Sequence, residues 1–260
     1  MEISVIIVTK NQKHVLEKSL PILLKQKLLN DYEIIIVDSG STDGTKEYVN
    51  SLPVRVVSLD SKSFNYANAF NTGANASRGK YLVRLSGDAI PVNEKFLFEI
   101  IAPFVDIKVG GVYGKYEITE RKGYGYPIFW PAKRFPKRLT RYSLRPSLLN
   151  LILSEKHREM VFNFAGGCCS IRREIWEKRP FNGNLIEAED AEYSWFLHVL
   201  GYDVIYNPKA RVIHEHRLNS KPIPNFFNSQ AIRILTKEIA LYYLKKLVSA
   251  DPFEDFNKAD

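Results

Sequence analysis

Only two cysteines occur in 260 residues, and they are neighbours, Cys168 and Cys169. Adjacent thiols offer neither a disulfide framework nor a metal-ligand spacing, so the chain reads as a protein of a reducing compartment. Long hydrophobic runs are missing too: charges or prolines interrupt every stretch that approaches the roughly 18 apolar residues needed to cross a bilayer. The first apolar run, Ile3 to Val8, is about half a signal-peptide core and feeds straight into the first predicted strand. The expected location is therefore cytoplasmic, with peripheral contact at the cytoplasmic face of a membrane left open. A glycine-rich Gly-x-Gly-x-x-Gly fingerprint is absent, which removes support for nicotinamide or flavin chemistry.

What is present is a well-filled core and an excess of base. Hydrophobic residues make up 45% of the chain, enough for one domain or at most two, and 37 Lys plus Arg against 29 Asp plus Glu leave a formal charge of +8. Such an imbalance calls for an anionic partner: a nucleotide, a nucleic acid or a membrane surface.

Short β-branched runs alternate with helical stretches through the first half, the pattern of a parallel sheet covered by helices. Strands are expected at 3–8, 33–38, 54–57 and 80–85, with helices at 12–28, from Thr42 or Asp43 to about Asn50, and at 65–78. Between about 117 and 160 the alternation is lost, and Pro127, Pro131, Pro136 and Pro146 interrupt any regular element. A strand through 164–170, a helix near 187–200 and two short strands around Val204 and Val212 follow. A helix over 228–248 carries one apolar stripe.

In an open parallel sheet, ligands bind beyond the carboxyl ends of the strands. Thr9 to Asn11, Asp38 with Ser39, Asp60, and Asp88 fall there. Asp38, directly behind four apolar residues, can accept hydrogen bonds from a ribose or a base N–H. The plain alternative is an aspartate that caps its own loop. Gly166 and Gly167 can admit a close backbone approach to sugars, or can mark a simple turn.

Ser4-Val-Ile-Ile-Val-Thr-Lys-Asn11, Ile35-Ile-Val-Asp-Ser-Gly-Ser-Thr-Asp-Gly-Thr45, and Asn71-Thr-Gly with Ala76-Ser-Arg-Gly-Lys-Tyr-Leu82 resemble the nucleotide-sugar-binding half of family-2 glycosyltransferases of the GT-A fold. The resemblance implies an α/β nucleotide-diphospho-sugar transferase fold, with a mostly parallel central sheet flanked by helices. It divides the chain into a transferase domain, 1–216, and a C-terminal helical extension, 217–260. Within the domain, 1–116 would bind the nucleotide sugar and 117–216 would carry the acceptor and catalytic half. Thr9, Asn11, Asp38, Ser39, Asp60, Asn71, Ser86, Gly87, Asp88, Gly166 and Gly167 become the expected donor-binding residues. Family members usually carry Asp-x-Asp after the fourth strand, where carboxylates hold a divalent cation against the donor diphosphate. Here it reads Ser86-Gly87-Asp88. One carboxylate still suffices for Mg or Mn when water and phosphate complete the shell. Ser86-Gly-Asp-Ala-Ile-Pro91 is similar to the rhamnosyltransferase-like branch, which points to a deoxythymidine-diphosphate rhamnose donor.

Glu187-Ala-Glu-Asp-Ala-Glu-Tyr-Ser-Trp195 resembles the family's Glu-Asp motif, which provides the catalytic base. An acceptor hydroxyl must lose a proton as it attacks the anomeric carbon. The match assigns that task to Asp190, with Glu189 as the alternative; without the resemblance, the cluster is an acidic first turn complementing a helix dipole. His214 and His216, two apart on a predicted strand, share a face. By the resemblance they complete the metal site with Asp88, His214 foremost. The implied activity is inverting transfer of a sugar to a hydroxyl of a glycan or lipid-linked acceptor. A sugar nucleotidyltransferase would need an early glycine-rich phosphate loop, which is not seen. A non-catalytic nucleotide-sugar or nucleic-acid binder would not need Glu189-Asp190.

The excess of base is local. Residues 121–145 hold Arg121, Lys122, Lys133, Arg134, Lys137, Arg138, Arg141 and Arg145, with no acidic residue. Interleaved with them are Tyr124, Tyr126, Phe129, Trp130, Phe135 and Tyr142. That mixture suits an anionic membrane interface or a phosphate-bearing lipid-linked acceptor, with a solvated loop as the plain alternative and nucleic acid the disfavoured partner.

Overall fold

The computed structural model describes residues 1–28, 30–118, 136–144, 160–186, 188–215 and 240–241. Along the chain the elements are β1 (Ile3–Thr9), α1 (Lys13–Leu23), β2 (Tyr32–Asp38), α2 (Thr45–Asn50), β3 (Arg55–Ser58), α3 (Tyr66–Asn75), β4 (Tyr81–Ser86) and β5 (Ala89–Pro91). They continue with α4 (Phe96–Ile101), β6 (Val109–Ile118), β7 (Thr140–Tyr142), β8 (Cys168–Arg172), α5 (Arg173–Lys178), α6 (Glu189–Val199) and β9 (Asp203–His214). The helix expected over 228–248, His216, Glu187 and most of the basic aromatic segment lie outside the described residues.

One sheet of nine strands among the described residues runs in the order β3-β2-β1-β4-β8-β6-β9-β5, with β7 also pairing β9. The first four of these are parallel, from β2–β3 to β1–β4. The sheet is mixed beyond them: β8 is antiparallel to both β4 and β6, and β6 and β9 return to parallel pairing. Successive side chains of β1 take opposite faces, as a strand requires. Ile6 and Val8 pack with Phe70 of α3 on one face, and Ile3, Val5 and Ile7 with Leu16, Leu20 and Leu23 of α1 on the other. Each such fully buried aliphatic side chain contributes about 1.5–3 kcal/mol.

Several elements depart from the sequence expectation: the strand expected through 164–170 is β8, Cys168–Arg172, and β5, α4, β7 and α5 were not expected. α1 ends at Leu23 rather than residue 28, because Gln26 folds back and donates its side-chain amide to the carbonyls of Ile22 and Asn93, at 3.0 and 3.1 Å. That contact satisfies a helix-end carbonyl which another turn of helix would otherwise use. The two short strands expected around Val204 and Val212 are one strand, β9, whose pairing with β6 slips register between Tyr113 and Lys115. β6 itself was hidden by its glycines. A Cβ on Gly114 would lie 2.2 Å from the Ala210 carbonyl oxygen and 2.6 Å from Cys168 Sγ, so these strands approach at a distance only glycine allows.

This topology positions the site. The connections reverse direction between β1 and β4, which leaves a crevice at the carboxyl ends of those two strands. The antiparallel register of β5 on β9 sets Ala89 opposite His214, so Asp88 meets the far end of β9 beside that crevice.

Candidate active site

Thr9 closes β1, and Ser86-Gly87 closes β4. The Gly87 N–H donates to the Val8 carbonyl at 2.8 Å, and a Cβ there would stand 2.8 Å from Thr9 Oγ1. Ser86 N–H donates to the Gly167 carbonyl at 3.1 Å, and a Cβ on Gly167 would meet Tyr116 Oη and Ser86 Oγ at 2.5 and 2.8 Å. Glycine at 87 and 167 thus lets three chain segments converge on one point. The hydroxyls of Thr9 and Ser86 are buried there without a hydrogen-bond partner among the described residues. Buried hydroxyls usually have one, so these two are ready-made contacts for a polar ligand.

Asp88 lies in the turn between β4 and β5. Its Oδ1 is 2.9 Å from Nε2 of His214, and its carbonyl accepts the Glu215 N–H at 2.9 Å. Lys18 of α1 grips both carboxylate oxygens of Glu215 at 2.8–2.9 Å and so fixes the end of β9. Among the described residues no group of three or more His, Cys, Asp or Glu could hold a metal ion unaided. One oxygen and one ring nitrogen 2.9 Å apart do suit a cation that takes its remaining ligands from water and phosphate.

Asp190 and Glu189 open α6, and geometry divides them. Asp190 is half-buried. Its Oδ2 accepts the Gly166 N–H and its Oδ1 accepts the Ala191 N–H, both at 2.8 Å. A Cβ on Gly166 would sit 2.8 Å from Asp190 Oδ2, so this glycine exists to let the carboxylate approach. Burial, and then the like charge of Glu189, push the Asp190 carboxyl up to about 6, while Arg84 and the Gly166 N–H pull the other way. Glu189 is buried, with Oε1 2.5 Å from Nη2 of Arg84. A lone cation inside Tyr81-Leu-Val-Arg-Leu-Ser86 needs an acidic partner if buried, and the sequence does not show that this partner is Glu189.

The other residues expected to contact the donor have protein partners in the structure. The buried Asp38 carboxylate accepts from the Gly40 and Ser41 N–H groups at 3.2 and 3.1 Å and from the Ser41 hydroxyl, the loop-capping arrangement. Ser39 donates from its backbone N–H and its hydroxyl to the Thr9 carbonyl, at 3.0 and 3.2 Å. Asn11, in the left-handed region at φ 52°, accepts the Thr42 N–H at 2.7 Å and so ties the loop after β1 to the loop after β2. Asp60 is exposed and caps a short turn by accepting the Lys62 N–H at 3.0 Å. Asn71 accepts from Trp176 Nε1 and the Phe181 N–H and donates to the Phe181 carbonyl, at 2.9, 3.2 and 2.8 Å, which turns its amide into the packing between α3 and the chain around α5. The adjacent cysteines are free and buried, and burial pushes both thiols up, Cys168 to about 12, so neither is a nucleophile at neutral pH.

A cleft of about 580 Å³ lies elsewhere, lined by Asp106, Lys108, Arg141, Ser143 and Asp203, at the end of β6 and β9 opposite His214. Arg141 already bridges Asp106 and Asp203 there. The converging strand ends, not this cleft, carry the chemistry-bearing groups.

Compared with known proteins, residues 4–179 match the model of the family described as Glycosyl transferase family 2. The chain belongs to that family. Its relatives include the O-antigen chain rhamnosyltransferase WbaN of Salmonella anatum, 27% identical over 187 residues, which are 71% of this chain and 56% of WbaN. A second, RfbN of Salmonella typhimurium, is 25% identical over 219 residues, 83% of this chain and 67% of RfbN. The chain spans about half the length of the first curated relatives it matches. Among solved structures, S. aureus TarS 1–349 in complex with UDP-GlcNAc superposes with a TM-score of 0.66 at 20% identity, covering 92% of this chain and 66% of TarS. Mannosyltransferase PcManGT from Pyrobaculum calidifontis, in complex with GDP-Man and Mn2+, gives 0.62 at 20% identity, covering 98% and 68%. The fold is the GT-A fold of glycosyltransferases.

Proposed function

We propose that this family-2 member is an inverting glycosyltransferase that moves a sugar from a nucleoside-diphosphate sugar to a hydroxyl of a glycan or lipid-linked acceptor. The observation that carries the reading is Asp190: a carboxylate held by the Gly166 backbone, with its proton affinity raised toward neutrality. A general base works best with its pKa near the working pH. Asp190 accepts the acceptor hydroxyl's proton as that oxygen attacks the anomeric carbon. Glu189, already bound to Arg84, holds its place beside it.

Asp88 and His214 would hold the cation, Mn or Mg, with His216 a further candidate that lies outside the described residues. Such an ion neutralises the charge that develops on the departing nucleoside diphosphate. PcManGT, whose complex contains Mn2+, supports cation use in this fold. Thr9 and Ser86 offer their unpartnered hydroxyls to the donor, and Gly87 and Gly167 give it a close backbone approach. The named rhamnosyltransferase relatives make deoxythymidine-diphosphate rhamnose the first donor to test. Basic residues 121–145 would bring the enzyme to an anionic membrane surface, where a lipid-linked acceptor resides.

The test is release of nucleoside diphosphate from dTDP-rhamnose, UDP-GlcNAc and GDP-mannose, each with Mn or Mg and with or without lipid-linked glycan. Release from one donor, stimulated by acceptor, is the expected result. Binding of a donor with no release under any of these conditions would favour a non-catalytic binder.

A further inference from the structure

Arg84 is a cation buried at 5% exposure in the middle of β4, and the transfer chemistry above gives it no task. Its surroundings are specific. Nη2 pairs with Glu189 Oε1, while the guanidinium carbon stands 5.7 Å from the ring centre of Phe70 and 5.4 Å from that of Phe181. Nη1 is buried without a hydrogen-bond partner among the described residues. The point where a Gly166 Cβ would lie is 3.2 Å from this Nη1 and 2.8 Å from Asp190 Oδ2, so cation and carboxylate flank the same glycine.

We infer that Arg84 is a positioning residue for Asp190. Anchored by Glu189 and lying against the edge-to-face pair of Phe70 and Phe181, it fixes the first turn of α6 against β4 and places one positive charge beside the base. This rests on Asp190 being the base. A buried ion pair is poor value as a source of stability, since an apolar pair of similar volume does as well or better, so a charged pair beside a base has another use. The guanidinium suits it: it stays charged and it stacks on aromatic faces as an ammonium does not. The other titratable groups facing Asp190 are Glu189 on its own helix, Cys169 on β8 and Tyr116 on β6. Burial keeps the thiol and the phenol neutral, and among the described residues Glu189 and Arg84 are the charged side chains that act most on Asp190.

The test is the titration of Asp190 itself, read by 13C NMR of aspartate-labelled full-length protein and assigned with Asp190→Asn. It needs no substrate, so it succeeds or fails separately from the assignment of Asp190 as base, which donor turnover tests. Glu189→Gln removes the like charge and is expected to lower the Asp190 midpoint. Arg84→Met leaves Glu189 buried and unpaired and so endangers the fold; the Arg84→Met/Glu189→Gln double variant leaves no buried charge unpaired. The double variant differs from Glu189→Gln only in the cation, and its midpoint is expected about one unit or more higher, the effect of a charge at close range. Midpoints that coincide would overturn the inference. In turnover, Arg84→Lys is expected to lower kcat with donor KM unchanged; equal losses in both would contradict a role confined to positioning.

Discussion

At the scale of single residues, the site is built by close approaches rather than by a rich cluster of charges. Gly166 stands against Asp190, and Gly167 against Ser86 and Tyr116. Gly166→Ala would drive a methyl group into the Asp190 carboxylate. Its expected effect is a fall in kcat of about tenfold or more at unchanged donor affinity, measured by steady-state kinetics beside donor titration, because a small misplacement of a catalytic group is costly. The raised proton affinity of Asp190 has a kinetic signature as well. Only the ionised carboxylate can accept a proton, so kcat/KM should rise with pH through about 6 and flatten above it, and a profile flat from pH 4 to 8 would exclude this base. Asp190, Glu189, Asp88 and His214 were singled out by motif, and the structure sets Asp190 against Gly166, Glu189 against Arg84 and Asp88 against His214. Arg84 was not: within one strand a buried cation shows no partner, and Glu189 lies 105 positions away.

At the scale of elements, the parallel half of the sheet was readable because β1 and β2 are short β-branched runs ending in polar turns and Arg84 alone interrupts the apolar run of β4. In the other half β8 and β9 were read in part and β6 was not. β6 carries Gly110, Gly111 and Gly114, residues that argue against a strand until Tyr202, Leu197 and Ala210 are seen pressed upon them. Gly114→Ala should therefore part β6 from β9 and cost about 1–3 kcal/mol, seen as a lower denaturation midpoint, with weaker cation binding because β9 delivers His214. Asn71, expected from its motif to bind donor, has a packing role in the structure that can be tested apart from that expectation. Its amide joins α3 to Trp176 and Phe181, so Asn71→Ala is expected to lose about 1–3 kcal/mol of stability and to leave donor affinity unchanged in calorimetry.

At the scale of the whole molecule, a formal charge of +8 is carried by one segment, 121–145, while the groups proposed for catalysis sit at the ends of β1, β4 and β9 and the start of α6. If that segment serves membrane contact, vesicles containing anionic lipid should co-sediment the protein and neutral ones should not. Raising salt should weaken the association, since each exposed basic residue near the surface contributes about 1 kcal/mol that mobile ions screen. Fold and chemistry meet at a single carboxylate, and the most direct measurement is turnover by Asp190→Asn at saturating donor and acceptor, alongside donor binding by the same protein. The account predicts unchanged donor binding with turnover reduced about 10²–10⁴-fold, the usual worth of a general base. Donor binding and full turnover together would contradict it.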